Sequence, residues 1–199
     1  MGIIEELRRE IEDLNAEILN APSVRAPSMG VLRRFTVNQL YIVPHDLKAL
    51  SLAMTKASSP DEYLFVKMLI DGDYEALGAL RELAEEIGVS FSYDQVSPRA
   101  VGYTHFLQWL ALHGNMGDLA VAMTVNLPVW GENCRRLGEW ARSTGIKSLR
   151  FFELFSGPWD ELEALADKIA GRYADMSRYK FIARAIQYYE REFWLAIAQ

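Results

Sequence analysis

Residues 176–198 read MSRYKFIARAIQYYEREFWLAIA, and their spacing decides the fold class. Ile182, Ile186, Tyr189, Phe193 and Ile197 follow one another at intervals of four, three, four and four residues, the pattern of a helix that buries one face. Glu190 falls inside that stripe. At about 100° per residue it lies about 40° from Ile186 and Trp194 and about 20° from Ile197. Glu192 points the other way, toward solvent. A carboxylate set among Ile186, Phe193, Trp194 and Ile197 must be hydrogen-bonded, paired with a cation, or protonated, because an unpaired buried charge is very unfavourable. Glu190 is therefore either a structural acid with an internal partner or the carboxylate of a site, and the sequence leaves both readings open.

Working outward, the other apolar patterns are helical as well. Periodic segments run over 3–19, 32–54, 98–113 and 159–173, with Pro44 expected to kink the second of these. Ser58-Ser59-Pro60-Asp61 reads as a helix start. Asp71-Gly72-Asp73 reads as a break between that helix and the next, 74–87. Residues 118–140 form a long helix interrupted at Pro128, and 149–155 a short apolar one. The run VSFSYDQ at 89–95 alternates weakly but has no second strand to pair with, so it is a loop. The expected class is all-α, seven or eight helices in one bundle, with residues 1–199 forming a single domain.

Composition narrows the function. The chain is 50% hydrophobic and 24% charged, with 27 acidic and 21 basic residues and a net charge of -6. No basic stripe offers counterion release to a phosphate backbone, which argues against a nucleic-acid partner. One cysteine rules out an intrachain disulfide framework and fits a reducing compartment. No apolar run approaches the length of a membrane span and the start is acidic and amphipathic, so the expected location is cytoplasmic. Trp109, Trp140, Trp159 and Trp194, with broad apolar faces, exceed what one small core hides, which points to a homo-oligomer.

The familiar catalytic motifs are missing: no phosphate-binding glycine loop, no His-Glu-x-x-His, no Cys-x-x-Cys and no Gly-x-Ser-x-Gly. A zinc site built on histidine would need nearly all three of them, and the Glu-x-x-His pairs of a ferritin-like di-iron site do not occur, so no metal site is expected. His105 and His113 are expected in the core or at its boundary. Asp46 resembles Glu190 in placement, lying among Ile42, Val43, Leu50 and Ala53 on the second helix, all within about 60° of it. Two acids on apolar helix faces of one bundle can share a pocket in which one holds a proton and the other an amine. His45 is placed to orient Asp46, and Tyr41, Tyr103, Trp130 and Tyr189 supply flat walls for a planar ring or, equally, core packing.

Three stretches together resemble the TenA/thiaminase II family over nearly the whole chain: Tyr189-Glu190-Arg191-Glu192-Phe193-Trp194, the helix that opens near Phe35 and carries Asp46, and Tyr103-Thr104-His105-Phe106-Leu107 before the Gly114 turn. The resemblance implies a heme-oxygenase-like helical fold, a thiamin-derived aminopyrimidine ligand that is cleaved or deaminated hydrolytically, and a homotetramer or dimer without cofactor. It also implies that Asp46 holds the ring and that Glu190 transfers protons. The chain departs from the family where the nucleophilic cysteine belongs: Leu127-Pro128-Val129-Trp130 puts Pro128 there, and Cys134 lies six residues on, on a core-facing stripe. Ala49, Glu132 and Phe155 stand where the family has ring-binding tyrosines. Members without the cysteine imply a hydrolysis run by carboxylates, with Glu132 as a candidate second acid, although Arg136 at i+4 offers it a helix-surface ion pair. The expectation is a small-molecule ligand bound and hydrolysed by a cysteine-independent mechanism. Its alternatives are a non-catalytic ligand-binding or scaffold protein and a non-haem iron oxidase on the same fold.

Overall fold

A computed structural model describes residues 2–199. Its helices are α1 (Ile3–Glu10), α2 (Glu12–Leu19), α3 (Pro22–Arg25), α4 (Met29–Met54), α5 (Pro60–Glu86), α6 (Gly102–His113), α7 (Met116–Val125), α8 (Leu127–Ser143), α9 (Arg150–Glu153), α10 (Asp160–Tyr173) and α11 (Met176–Ala196). One 3-10 turn, Tyr93–Gln95, lies in the run expected to be a loop, and there is no strand among the described residues. The class is all-α, as the periodicities require. No helix among the described residues is long and apolar enough to cross a membrane.

Helix starts follow local chemistry. The Ser28 hydroxyl accepts from the Val31 N–H at the head of α4, and Ser59, followed by Pro60, caps α5 by accepting from the Glu62 N–H. Asn115 and Asp118 form a reciprocal capping box on α7. The break expected near Pro128 falls at Asn126, between α7 and α8. Two other expectations are corrected. The first helix is broken at Ile11 into α1 and α2, and the Asp71-Gly72-Asp73 break does not exist, because α5 runs unbroken through it. One interior glycine weakens a helix by only about 1 kcal/mol relative to alanine, and the packing of α5 along α4 outweighs that. Likewise α4 continues through Pro44 without ending there.

Two apolar clusters fill the bundle. In one, Phe35 of α4 meets Trp130, Phe151, Phe152, Phe193 and Trp194 with ring centroids 5.5–5.9 Å apart, joining α4 to α8, α9 and α11. The other gathers Leu50, Phe65, Leu107, Ile169, Tyr179 and Ile186 from α4, α5, α6, α10 and α11. Between the clusters a seam remains. Close approach on one side of it depends on Gly131, where an added Cβ would stand 2.5 Å from the Phe155 carbonyl oxygen.

Gly131→Ala is therefore expected to destabilise the protein by about 1–3 kcal/mol in urea denaturation, since backbone rather than a flexible side chain is in the way. Gly78→Ala, at an exposed α5 position with nothing within 4 Å of the new Cβ, is expected to stabilise by about 0.5–1 kcal/mol. Equal effects of the same sign at both positions would contradict this packing.

Candidate active site

The seam contains a cavity of about 170 Å³. Its walls are apolar: Ile42 and Val43 from α4, Met68 and Leu69 from α5, Leu162 from α10 and Phe193 from α11. Trp130, Phe155, Trp159 and Tyr103 add flat surfaces. Into these walls the fold sets three acids: Asp46 from α4, Asp73 from α5 and Glu190 from α11. None of the lining residues carries a positive charge.

Each acid responds to this setting. Glu190 is 3% exposed, and burial pushes its pKa up to about 7. Two donors oppose that rise: the Trp194 indole N–H at 2.6 Å from Oε1 and the Asn126 amide at 3.3 Å from Oε2. Trp194 is one helical turn beyond Glu190, so the pair is built by i, i+4 spacing, while the aromatic cluster on Phe35 holds the indole. Asp46, 7% exposed, is raised well above the carboxylate range, first by burial, then by the charge of Asp73, and also by that of Glu190. The nearby Thr104 hydroxyl opposes this, yet Asp46 Oδ1 and Thr104 Oγ1 do not meet in hydrogen-bond geometry, and each is buried without a partner. Burial raises Asp73 to about 7, and its Oδ2 is also without a partner. Tyr103 lies near all three; burial and their charges hold its pKa well above 10, so it remains a donor, with its hydroxyl 3.6 Å from Met123 Sδ.

Acids buried elsewhere in this protein are treated differently. Asp118 is fully enclosed, and both its oxygens lie 2.8 Å from Arg178 Nε while one accepts the Asn115 N–H. Burial alone would raise Glu62, but the Ser58 N–H, the Tyr173 and Ser58 hydroxyls and Arg172 bring it below its ordinary value. The cavity acids lack such compensation.

The structure thus brings together Asp46, Glu190, Tyr103 and Trp130, and separates them from four residues grouped with them on sequence grounds. Glu132 is not at the cavity: Arg135 and Arg136 bond it at 2.6–2.9 Å on the outer face of α8, and Arg135 first, then Arg136, hold its pKa down to about 2. Tyr41 and His45 stack on each other outside the cavity; the Tyr41 hydroxyl meets His105 Nε2 at 3.0 Å, and His45 Nδ1 turns to the Tyr41 carbonyl oxygen at 2.7 Å and not to Asp46. Tyr189 packs over Gly102 and against Phe106. His105 and His113, expected in the core or at its edge, are exposed. Cys134 is fully buried in the aromatic cluster, its thiol pKa raised by burial and by Glu190, and it does not line the cavity. No three His, Cys, Asp or Glu side chains among the described residues converge closely enough to hold a metal ion, so the three acids ring the cavity without meeting at a point.

Sequence reasoning missed Asp73, Asn126 and Gln39. A signal existed for two of them: Asp73 lies four residues after Leu69, and Gln39 four after Phe35, each about 40° from a buried neighbour. Asn126 precedes the Leu127-Pro128 helix start and carries no periodic mark.

The raised acids fix the sign of the pH dependence. Glu190 keeps its proton in the folded state up to about pH 7 but loses it near 4.5 when unfolded. Its contribution to stability is fully present below the unfolded value and is lost as pH rises through about 7, a loss on the order of 3 kcal/mol. Asp46 and Asp73 act in the same direction. Glu190→Gln, whose amide can still accept from Trp194 and, with the Asn126 amide turned over, donate to Asn126 Oδ1, is expected to gain about 2 kcal/mol or more over the wild type between pH 5 and pH 8 in chemical denaturation. A variant less stable than wild type by more than about 2 kcal/mol at pH 8 would instead mark Glu190 as one half of a structural pair.

Comparisons with known proteins agree with this architecture. The TENA/THI-4/PQQC family profile matches residues 26–199. A search of curated proteins returns no match. Among solved structures, the chain is similar to a TenA homologue from Pyrococcus furiosus, with a TM-score of 0.80 and 21% identity over 99% of this chain and 100% of the other. It is also similar to a TenA homologue from P. horikoshii OT3, at TM-score 0.72 and 19% identity over 99% and 98% of the two chains. A TenA homologue from Pseudomonas syringae pv. tomato gives 0.76 and 14% over 96% and 90%. Identities this low carry the fold alone. The helical bundle is the heme-oxygenase-like fold, and the chain belongs to the TENA/THI-4/PQQC family.

Proposed function

We propose that the protein binds a small aminopyrimidine-type ring in the cavity and hydrolyses a bond from that ring to an amine, or an amide on it, without a cysteine nucleophile. The observation that carries this reading is the set of buried acceptors left without partners in a cavity with no cation: a ligand bearing amino groups supplies the missing donors. The size agrees, because a cavity of about 150 Å³ is known to hold one benzene ring. Trp130, Tyr103 and Phe155 offer flat faces to such a ring.

In this reading Asp46 accepts from a ring amine, and the Tyr103 hydroxyl donates to a ring nitrogen or to oxygen that gains charge. Glu190 is the acid/base. Its carboxylate removes a proton from water as the water oxygen attacks the electron-poor ring carbon or the amide carbonyl. The protonated Glu190 then returns the proton to the departing nitrogen, so that ammonia, or an amine and a carboxylic acid, leave and the carboxylate is restored. A pKa near 7 suits both halves of that exchange. Tyr41, His45, Tyr189 and Glu132 have no part in it. The enclosure of Cys134 favours binding without turnover as the second reading.

Self-association belongs to the same proposal. Trp109, 41% exposed, and Tyr188, 46% exposed, with Phe181 leave aromatic surface on α6 and α11 uncovered. Sedimentation at micromolar concentration is expected to find a species larger than the 22.7 kDa monomer, and a monomer alone would contradict it.

The functional test compares ammonia or formate release from amino- and formylamino-pyrimidines by wild type and Glu190→Gln. A loss of about 100-fold or more in the folded variant is expected. Equal rates would remove Glu190 from the chemistry. The absence of both turnover and a ligand-induced rise in melting temperature with every such ring would overturn the reading as a whole.

A further inference from the structure

Of the described residues that line the cavity, Gly72 alone is exposed. It lies in the interior of α5, and a Cβ built on it meets no atom within 4 Å. One turn earlier on the same helix, Met68 also lines the cavity and is half-buried. Two ion pairs fix what passes in front of this stretch. Asp61, near the start of α5, is held by Lys168 of α10 at 2.8 Å, and Glu75 by Arg150 of α9 at 3.1 Å. Helix α10 therefore runs antiparallel to α5, and residues 154–159, which join α9 to α10, cross α5 between the two ties. Trp159 is about 13 Å of helix from Lys168 and Gly72 about 16 Å from Asp61, so the crossing falls near the level of Gly72. The two rings of that segment are engaged elsewhere. Phe155 packs on Trp130 and Phe151, with centroids 5.6 and 5.2 Å away, and the Trp159 indole nitrogen stands 3.9 Å from a Cβ built on Gly131 of α8. Neither ring covers Gly72.

We propose that Gly72 is the access-determining residue of this cavity: small molecules enter between α5 and the 154–159 segment, through the space that a side chain at position 72 would fill. A glycine inside a helix is unfavourable, since it orders a flexible backbone and packs no side chain. Helix α5 contains a second one, Gly78, which is likewise exposed with nothing within 4 Å of its Cβ position. Gly78 does not line the cavity, and Gly72 does. The two glycines are therefore alike in what they do to the helix and differ in what a side chain would close. Filling position 72 narrows the way in without disturbing packing, because no neighbour stands there to be displaced. Access and stability separate at this residue. The width of what reaches the acids is set at the wall of the cavity, before any of them is met. This holds whatever the cavity binds, so it does not depend on the aminopyrimidine reading.

The test places a reporter thiol inside the cavity. Val43→Cys, a near-isosteric change at a buried lining position, is reacted with methyl methanethiosulfonate at pH 8.5, alone and combined with Gly72→Leu, Gly72→Gln or Gly78→Leu. Ile42→Cys, also buried and lining, is the second reporter. Cys134, fully buried and off the cavity wall, sets the background in the unsubstituted chain. Both substitutions at Gly72 are expected to slow modification of the reporters at least ten-fold. No fall in melting temperature is expected with them, because leucine and glutamine are better helix formers than glycine. Gly78→Leu is expected to leave the rate unchanged. Equal rates with and without a side chain at position 72, an equal slowing by Gly78→Leu, or reporters that react only on unfolding would each overturn the assignment. No ligand takes part in this measurement, so its failure leaves the ring-binding reading standing.

Discussion

A carboxylate taken out of water must find a partner, share a proton or wait for a ligand, and this constraint organises the centre of the molecule. Where the protein needs a buried acid for architecture, it supplies the partner: Arg178 on Asp118, and Ser58, Tyr173 and Arg172 around Glu62. At the seam between its two apolar clusters it does not. Asp46 and Asp73 each keep an oxygen without a donor, and Glu190 has only the Trp194 indole and the Asn126 amide. The same fold thus buries acid in two ways, one with the partners supplied and one with oxygens left without a donor.

Aromatic packing makes this possible. Phe35 ties α4, α8, α9 and α11 into one cluster, and Trp194 is both a member of that cluster and the donor to Glu190. The orientation of the Glu190 carboxylate therefore depends on rings several side chains away. The short segment from Leu154 to Trp159 closes the seam from the side that Gly131 allows to approach, and it brings Phe155 and Trp159 to the cavity. A larger residue at position 131 would reshape the cavity through this segment without lining it.

Much of this was legible in the sequence, and the misses have physical causes. A stripe of Ile182, Ile186, Phe193 and Ile197 with a glutamate inside it is enough to place Glu190 in the interior, and the same projection places Asp46. Asp73 was hidden by a local rule: Asp-Gly-Asp favours a turn in a free chain, whereas 27 residues of α5 packed on α4 override it. Glu132 shows the opposite failure. A family position suggested an acid in the site, while the simpler signal, Arg136 four residues on, described a surface ion pair, which the structure extends with Arg135. Tyr41, His45 and Tyr189 lie on sides of their helices that meet other helices, not the cavity, and a one-helix projection does not tell which neighbour a face will meet.

The central claim is that three acids face one cavity without a compensating cation. Its most direct test is a carbon-13 NMR titration of the side-chain carboxyls, assigned by single Asp→Asn and Glu→Gln substitutions. The account predicts that Glu190 and Asp73 titrate near pH 7 and that Asp46 also titrates well above the ordinary range. Every carboxyl titrating below about pH 5, in the usual range for paired or solvated acids, would contradict it.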